Sequence, residues 1–217
     1  LDHIGLVNSI EEAYNEISGA IRDFQGEYVV LNNEDPLIKK MENSVSSSVN
    51  VSYYGKGSSL EFRSGGIFNE DKMIIDEVEL PFKSPHFIQN TLAAVQAGII
   101  LKVPYEIIAR AIASYKPLKR RFTILSESPL IIDDFAHNPD GIKATIKSSA
   151  QRTHGTLYLV TAIRGSRGEV INRVNAEAVA EGLKDIDYKL IITSSVEVVN
   201  EANLVKPSEK KVFQDVM

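Results

Sequence analysis

A chain of 217 residues, 43% hydrophobic and 24% charged, is long enough to bury one large or two modest cores in water. Its net charge of −5, from 24 basic and 29 acidic side chains, lacks the basic surplus that nucleic acid or an anionic membrane surface attracts, while leaving a nucleotide ligand possible. With no cysteine it has no disulfide framework, thiolate nucleophile or cysteine-held metal. No apolar run approaches the roughly 20 residues that span a bilayer, and Leu1-Asp2-His3 lacks the regions of a signal peptide. The expectation is a cytoplasmic protein that neither enters a membrane nor binds nucleic acid. The absence of an initiating methionine and the abrupt Phe213-Gln214-Asp215-Val216-Met217 end read as a fragment.

In chain order, Asn8 or Ser9 caps a helix whose apolar residues Ile10, Tyr14, Ile17, Ile21 and Phe24 recur at 3.6-residue spacing. A strand follows at Tyr28 to Leu31, then a short helix opened by Asp35-Pro36. Alternation returns at Val49, Val51 and Tyr53, at Leu60 and Phe62 before the Gly65-Gly66 turn, and at Val78, Leu80 and Phe82. These three predict strands in antiparallel pairing. Ser84-Pro85 starts a long helix with Ile88, Leu92, Val95 and Ile99 inward, and Pro104 starts another carrying Ile107, Ile108 and Ile112.

Lys116 to Arg121 is a basic connector interrupted by Pro117, and it predicts a domain boundary with residues 1–117 before it and 118–217 after. Beyond it the chain alternates strand (Pro129 to Asp133), helix (Pro139 to Ser149), strand (Thr156 to Thr161), helix (Asn172 to Leu183) and strand (Tyr188 to Thr193). That order predicts right-handed crossovers and a parallel sheet.

Polar chemistry concentrates at Ile131-Ile132-Asp133-Asp134-Phe135-Ala136-His137-Asn138-Pro139-Asp140, where an apolar strand ends in two carboxylates before a helix. In open α/β sheets that strand end borders the ligand crevice, and Asn138 as cap with Pro139 next directs unpaired helical N–H groups to the same place. Carboxylates there accept from ribose hydroxyls, while His137 and the helix start meet phosphate or ring atoms. The alternative is that Asp133 and Asp134 are loop and capping residues and His137 a packed or exposed histidine.

Asp134-Phe135-Ala136-His137-Asn138-Pro139 resembles the Asp-aromatic-Ala/Gly-His-Asn-Pro motif of the Mur ligase family, which also takes in folylpolyglutamate synthase and cyanophycin synthetase. The resemblance implies the second half of a Mur-type central ATPase domain followed by a Rossmann-like α/β C-terminal domain with a mostly parallel sheet. It also implies that Asp134, His137 and Asn138 meet ATP. Further matches follow in family order. Arg121-Phe122 resembles the Gly-Arg-Phe hinge whose arginine reaches the ATP phosphates, with Arg120 where the glycine belongs. His86 to Ala94 resembles a His-Asn-x-x-Asn-x-x-Ala-Ala helix, which assigns Asn90 to the adenine, although Phe87 replaces the first asparagine. Asp2-His3-Ile4-Gly5 resembles a segment at the magnesium site, making His3 a candidate metal ligand, and Asn32-Asn33-Glu34-Asp35-Pro36 resembles an Asn-x-Asp-Asp-Pro turn.

The departures are as definite. A family lysine that is often carbamylated and helps hold magnesium falls about where Ser18 stands. The Gly-x-Gly-Gly-Asp-Arg loop appears as Ala162-Ile163-Arg164-Gly165-Ser166-Arg167, and the Asp-Asn-Pro-Arg motif has no counterpart, Ser194-Ser195-Val196 standing instead. No Gly-x-x-x-x-Gly-Lys-Ser/Thr loop occurs, and Gly55-Lys56-Gly57 is too short for one. Arg164 and Arg167 are candidates to grip a substrate carboxylate, with loop solvation the alternative.

What the resemblance implies is an ATP- and magnesium-dependent ligase that joins an amino acid to a carboxylate on a small-molecule or nucleotide-linked peptide precursor of cell-wall type, through an acyl phosphate, with Arg121 and His137 in the reaction. An archaeal pseudomurein peptide ligase is one candidate. A folylpolyglutamate-type ligase, or a nucleotide-binding module that lost its chemistry, stays open, the last because of Ser18.

Overall fold

The computed structural model describes residues 9–116, 118–194 and 204–217, which divide into two compact units on either side of residue 117. The first unit runs α1 (Ile10–Arg22), β1 (Tyr28–Asn32), α2 (Pro36–Lys40), β2 (Asn50–Tyr54), β3 (Leu60–Arg63), β4 (Gly66–Asn69), β5 (Lys72–Asp76), α3 (Pro85–Ile100) and α4 (Tyr105–Ala113). Ser9 caps α1 by accepting from Glu12 N–H at 3.0 Å, and Asp35 caps α2 through the Leu37 and Ile38 N–H groups. Asn8 lies outside the described residues.

The five strands form one sheet in sequence order. β1, β2 and β3 are parallel to one another, and β4 and β5 then turn back antiparallel. The antiparallel pairing expected for Val49–Tyr53 is therefore corrected. Side-chain alternation has the same period of two in both pairings, and it is the helical crossover through α2 that lets β2 run alongside β1. Val78 to Phe82 is not a strand either. Asp76 and Glu79 cap one 3-10 turn at Glu77–Glu79, which leaves Val78 exposed and Leu80 buried. Gly66–Asn69 and Lys72–Asp76, not expected as strands, complete the sheet.

Leu60, Ile67, Ile75, Leu92 and Val95 form the centre of this unit's core, with Ile88, Ile99 and Ile112 packed around it, so α3 buries the face its spacing predicted. α1 differs: Ile10 and Ile17 are exposed and its one buried residue is Ser18.

The second unit runs β6 (Thr123–Glu127), β7 (Leu130–Asp133), α5 (Pro139–Ala150), β8 (Leu157–Ile163), α6 (Glu169–Leu183), β9 (Tyr188–Ser194) and α7 (Pro207–Val216). β8 and β9 pair in parallel over seven residues, as the strand-helix-strand order predicts. β7 pairs antiparallel with β6, a strand the sequence reading did not include. Ile142 and Ile146 of α5, Ala176, Val179 and Leu183 of α6, and Phe213 of α7 close over one face of β8 and β9, where they meet Leu159, Ile163 and Leu190. Tyr158, Val160 and Ile191 point to the other face and are exposed. The unit is α/β, its longest pairing is parallel, and it is Rossmann-like in arrangement. No helix among the described residues is long and apolar enough to cross a membrane.

Candidate functional site

The polar end of β7 is assembled around Asp134. Its Oδ2 accepts from Phe122 N–H at 2.6 Å, and its Oδ1 accepts from Ala136 N–H at 2.7 Å and from the Thr145 hydroxyl at 3.1 Å. One carboxylate thus ties the connector, the strand-to-helix loop and α5 together. Each charge-assisted bond of this kind contributes about 1.5–3 kcal/mol. A second clip joins the same pieces, from Phe135 N–H to the Arg120 carbonyl at 2.8 Å. With two bonds on Oδ1 and one on Oδ2, Asp134 keeps one acceptor position on Oδ2.

His137 and Asn138 follow on the loop into α5. Nδ1 of His137 lies 2.7 Å from the Phe135 carbonyl, so in the neutral ring the proton sits on Nδ1 and Nε2 is the acceptor nitrogen. Asn138 is the N-cap of α5 in extended backbone and accepts from Gly141 N–H at 2.8 Å. A Cβ on Gly141 would sit 3.0 Å from that same oxygen, so the cap is tightest with glycine there.

The Phe135 ring is 40% exposed and collects cations. The guanidinium carbons of Arg120, Arg121 and Arg164 lie 5.1, 5.9 and 5.9 Å from its centroid, and the His137 ring lies 4.8 Å away. These are cation-to-ring distances at which attraction is real but modest, about 0.5–1 kcal/mol at an exposed site. Arg120 also pairs with Asp133 at 3.7 Å. Arg120, Phe135, His137 and Arg164, though not Arg121, border a cleft of about 1590 Å³ whose walls also include Asp133, Asp134 and Arg167, with Ile142, Ile146 and Val179 among its apolar residues. Concave, part-apolar space with a few convergent charges is what a small-ligand site requires.

The loop after β8 is held by residues that no motif announced. Glu209 of α7 is fully buried, and its carboxylate accepts from the N–H groups of Ser166 (3.2 Å), Arg167 (2.9 Å), Gly168 (2.8 Å) and Lys206 (2.8 Å), and from Asn172 Nδ2 (3.2 Å). Burial alone would raise its pKa, but the four backbone donors outweigh it and hold the carboxyl below the ordinary carboxylate range. Asn172 Nδ2 also donates to the carbonyls of Arg164 and Gly168, both at 3.1 Å. One turn on, Asn175 Nδ2 donates to the His137 carbonyl at 3.1 Å. Asn172 and Asn175 are buried, and the carbonyl oxygen of each amide has no hydrogen-bond partner. A buried polar residue three positions from another on a helix carries a sequence signal only in hindsight, because surface helices carry the same pattern.

The remaining candidates lie in the first unit or outside the described residues. Asn90 is exposed on the second turn of α3. Beside it Gln89 donates to Glu34 Oε1 at 2.6 Å, and Lys56 N–H reaches the same oxygen at 2.9 Å. Gly55, at φ +100°, allows this approach, since a Cβ there would stand 2.8 Å from Glu34 Oε1. Ser18 is 3% exposed with its hydroxyl unpartnered. His3 lies outside the described residues, as do Ser195 and Val196. Among the described residues no three His, Cys, Asp or Glu side chains are grouped to hold a metal ion.

Residues 120–216 match the model of the Mur ligase glutamate ligase domain family. Over 175 residues the chain is 25% identical to the UDP-N-acetylmuramate–L-alanine ligase of Clostridium acetobutylicum, covering 73% of this chain and 37% of that enzyme. The chain therefore spans little more than a third of the length of that relative. Two solved structures share the fold. A folylpolyglutamate synthase of Mycobacterium tuberculosis, complexed with ADP and AMPPCP, superposes with a TM-score of 0.71 at 15% identity, over 99% of this chain and 50% of that one. A pseudomurein peptide ligase type C of Methanothermus fervidus superposes with a TM-score of 0.64 at 16% identity, over 97% and 55%.

Proposed function

We propose, from the premise that residues 120–216 belong to the Mur ligase glutamate ligase domain family, that this chain is part of an ATP-dependent ligase that joins an amino acid to a carboxylate of a cell-wall-type precursor. In this reading residues 1–117 are the latter part of a central ATP-binding domain and residues 118–217 the C-terminal ligase domain. The observation that carries it is the convergence of Arg120, Arg121, Arg164 and His137 on the exposed Phe135 ring, at the strand end where Asp134 organises the loop.

When bound, ATP supplies the phosphoryl group that converts a substrate carboxylate into an acyl phosphate, from which an amine takes the acyl group to give an amide, phosphate and a proton. The residues of this chain prepare that exchange. Arg121 neutralises phosphate charge at the connector, a role that suits a forked guanidinium donor. The remaining acceptor position on Asp134 Oδ2 suits a ribose hydroxyl. His137 and the Asn138-capped start of α5 meet phosphate oxygens. Arg164 and Arg167 hold the carboxylate of the incoming amino acid, and Asn90 serves the adenine. Magnesium is assigned to His3.

A second reading has its own observation. Ser18, at the position of a metal-supporting family lysine, is buried and cannot be carbamylated, which favours a nucleotide-binding module without catalysis. The two readings separate in the protein that carries this chain. Release of ADP and phosphate that depends on an added amino acid is expected. His137→Ala is expected to lower kcat/KM for ATP by about 10²–10³-fold with its melting temperature kept. Tight AMPPCP binding with no amine-dependent ADP release would favour the module, and unchanged kinetics in His137→Ala would remove the assignment of that residue.

A further inference from the structure

We propose that Glu209, with Asn172 and Asn175, positions the two ligand-facing loops of the second unit relative to one another, Glu209 setting the loop that carries Arg164 and Arg167. This role rests on the ligase reading for its substrate, but its evidence is separate from the motif that supports that reading.

Glu209 takes five donors into one carboxylate, three of them consecutive backbone N–H groups of Ser166, Arg167 and Gly168. Three successive amides aimed at one anion leave the loop a single backbone course, and Ser166 adopts φ +56° and Gly168 φ +85° to follow it. Asn172 adds the carbonyls of Arg164 and Gly168, so both ends of the loop are tied to α6. Asn175, on the same face of α6, ties the His137 carbonyl. The loop bearing the candidate carboxylate-binding arginines and the loop bearing His137 therefore share one buried support.

A solvated surface loop has no need of such a device. A fully buried carboxylate gains its place only when every lone pair is matched, and apolar packing would hold α7 against α6 as well. What the carboxylate supplies, and packing cannot, is a fixed direction for the Arg164–Gly168 backbone. Each element of the support maps to a different ligand: Glu209 and Asn172 to the amino-acid carboxylate at Arg164 and Arg167, and Asn175 to the nucleotide at His137.

The test uses the full-length protein with ATP and, as amine probes, L-alanine and L-glutamate. Glu209→Gln keeps the shape but turns one acceptor into a donor facing backbone N–H groups. Expected are loss of hydrogen-exchange protection at Ser166, Arg167 and Gly168, a rise of at least 10-fold in KM for the amino acid, and less than a 2-fold change in KM for ATP. Asn172→Ala is expected to follow that pattern, while Asn175→Ala raises KM for ATP and leaves KM for the amino acid. Should Glu209→Gln fail to fold, the opposed Asn172 and Asn175 patterns decide. Equal changes in both KM values across the variants, or lost protection with both KM values unchanged, would overturn the positioning role. No amine-dependent ADP release in the unaltered protein would instead overturn the ligase reading, and the support would then be judged by whether Asn175→Ala weakens AMPPCP binding while Asn172→Ala does not.

Discussion

At Arg120 the backbone and the side chain pull in opposite directions. Its φ of +62° is left-handed, which costs an L-residue with a Cβ roughly 1–2 kcal/mol and glycine almost nothing. That conformation accounts for the glycine that the related hinge motif carries at this place. Against the strain stand an ion pair to Asp133, between side chains 60% and 36% exposed, and a place beside Phe135. An exposed pair contributes about 0–1 kcal/mol. Arg120→Gly, despite the greater freedom of its unfolded chain, should therefore be at least as stable as the parent, and Arg120→Ala about 1 kcal/mol less stable than Arg120→Gly. Urea denaturation followed by tryptophan-free signals such as far-UV circular dichroism checks the order. Equal midpoints for the glycine and alanine variants would show that backbone strain is not what distinguishes this position. The same scale explains what was legible at Asp134. Its type and its place before a helix marked it as important, but three hydrogen bonds make it first an organiser of the connector, the loop and α5. Glu209 was invisible in the sequence because one glutamate in a polar helix looks like any other until the chain folds around it.

The loop after β8 shows how an element inherits its stability from a residue outside it. Glu209 has its pKa lowered, because the backbone donors of Lys206, Gly168, Ser166 and Arg167 outweigh the opposing effect of burial. A group whose pKa is lower in the folded state binds its proton more readily when unfolded. Its stabilisation is therefore complete above the ordinary carboxylate value and disappears as pH falls through the lowered one. The other charged residues on this loop and the adjoining turns of α6 and α7 are Arg164, Arg167, Glu169, Lys206 and Lys210. Amide exchange at Ser166, Arg167 and Gly168, corrected for its intrinsic rate, should thus keep constant protection from neutral pH down to the ordinary carboxylate range and lose it below. In Glu209→Gln the pH dependence should vanish. Protection that declined instead near pH 6 to 7 would assign the effect to a histidine. The strands teach a complementary lesson. Alternation located β2 and β3, yet pairing direction depended on the helical crossover, and the apolar spacing of Val78 and Leu80 belongs to the single turn at Glu77–Glu79, which exposes one and buries the other where a strand would place both on one face.

For the whole molecule, the two units have separate cores, and Arg121, Asp134, His137 and Asn138, proposed above for the nucleotide, all lie in the second. A ligand that binds only the folded protein stabilises it by mass action, by about 2.7 kcal/mol at 100 times its Kd. AMPPCP at such a concentration should raise the unfolding midpoint of the protein that carries this chain correspondingly. Arg121→Ala should reduce the shift while lowering stability in the absence of nucleotide by no more than about 0.5–1 kcal/mol, since its side chain is exposed and its contact is the Phe135 ring. A shift of full size in that variant would place phosphate recognition elsewhere.

The sequence by itself determined the helices with an inward apolar face, α3 above all, the strand-helix-strand order of the second unit, and the strand end and Asn138 cap at Asp134 to Pro139. These are local signals, written in periodicity, capping residues and a short contiguous motif. Tertiary structure alone decided which strands run parallel, which stripe of α1 is buried, and that Glu209, Asn172 and Asn175 hold the loops of the candidate site. Those outcomes depend on groups far apart in the chain, up to 43 residues between Glu209 and Ser166, whose donors and acceptors meet only once the intervening helices and strands have packed.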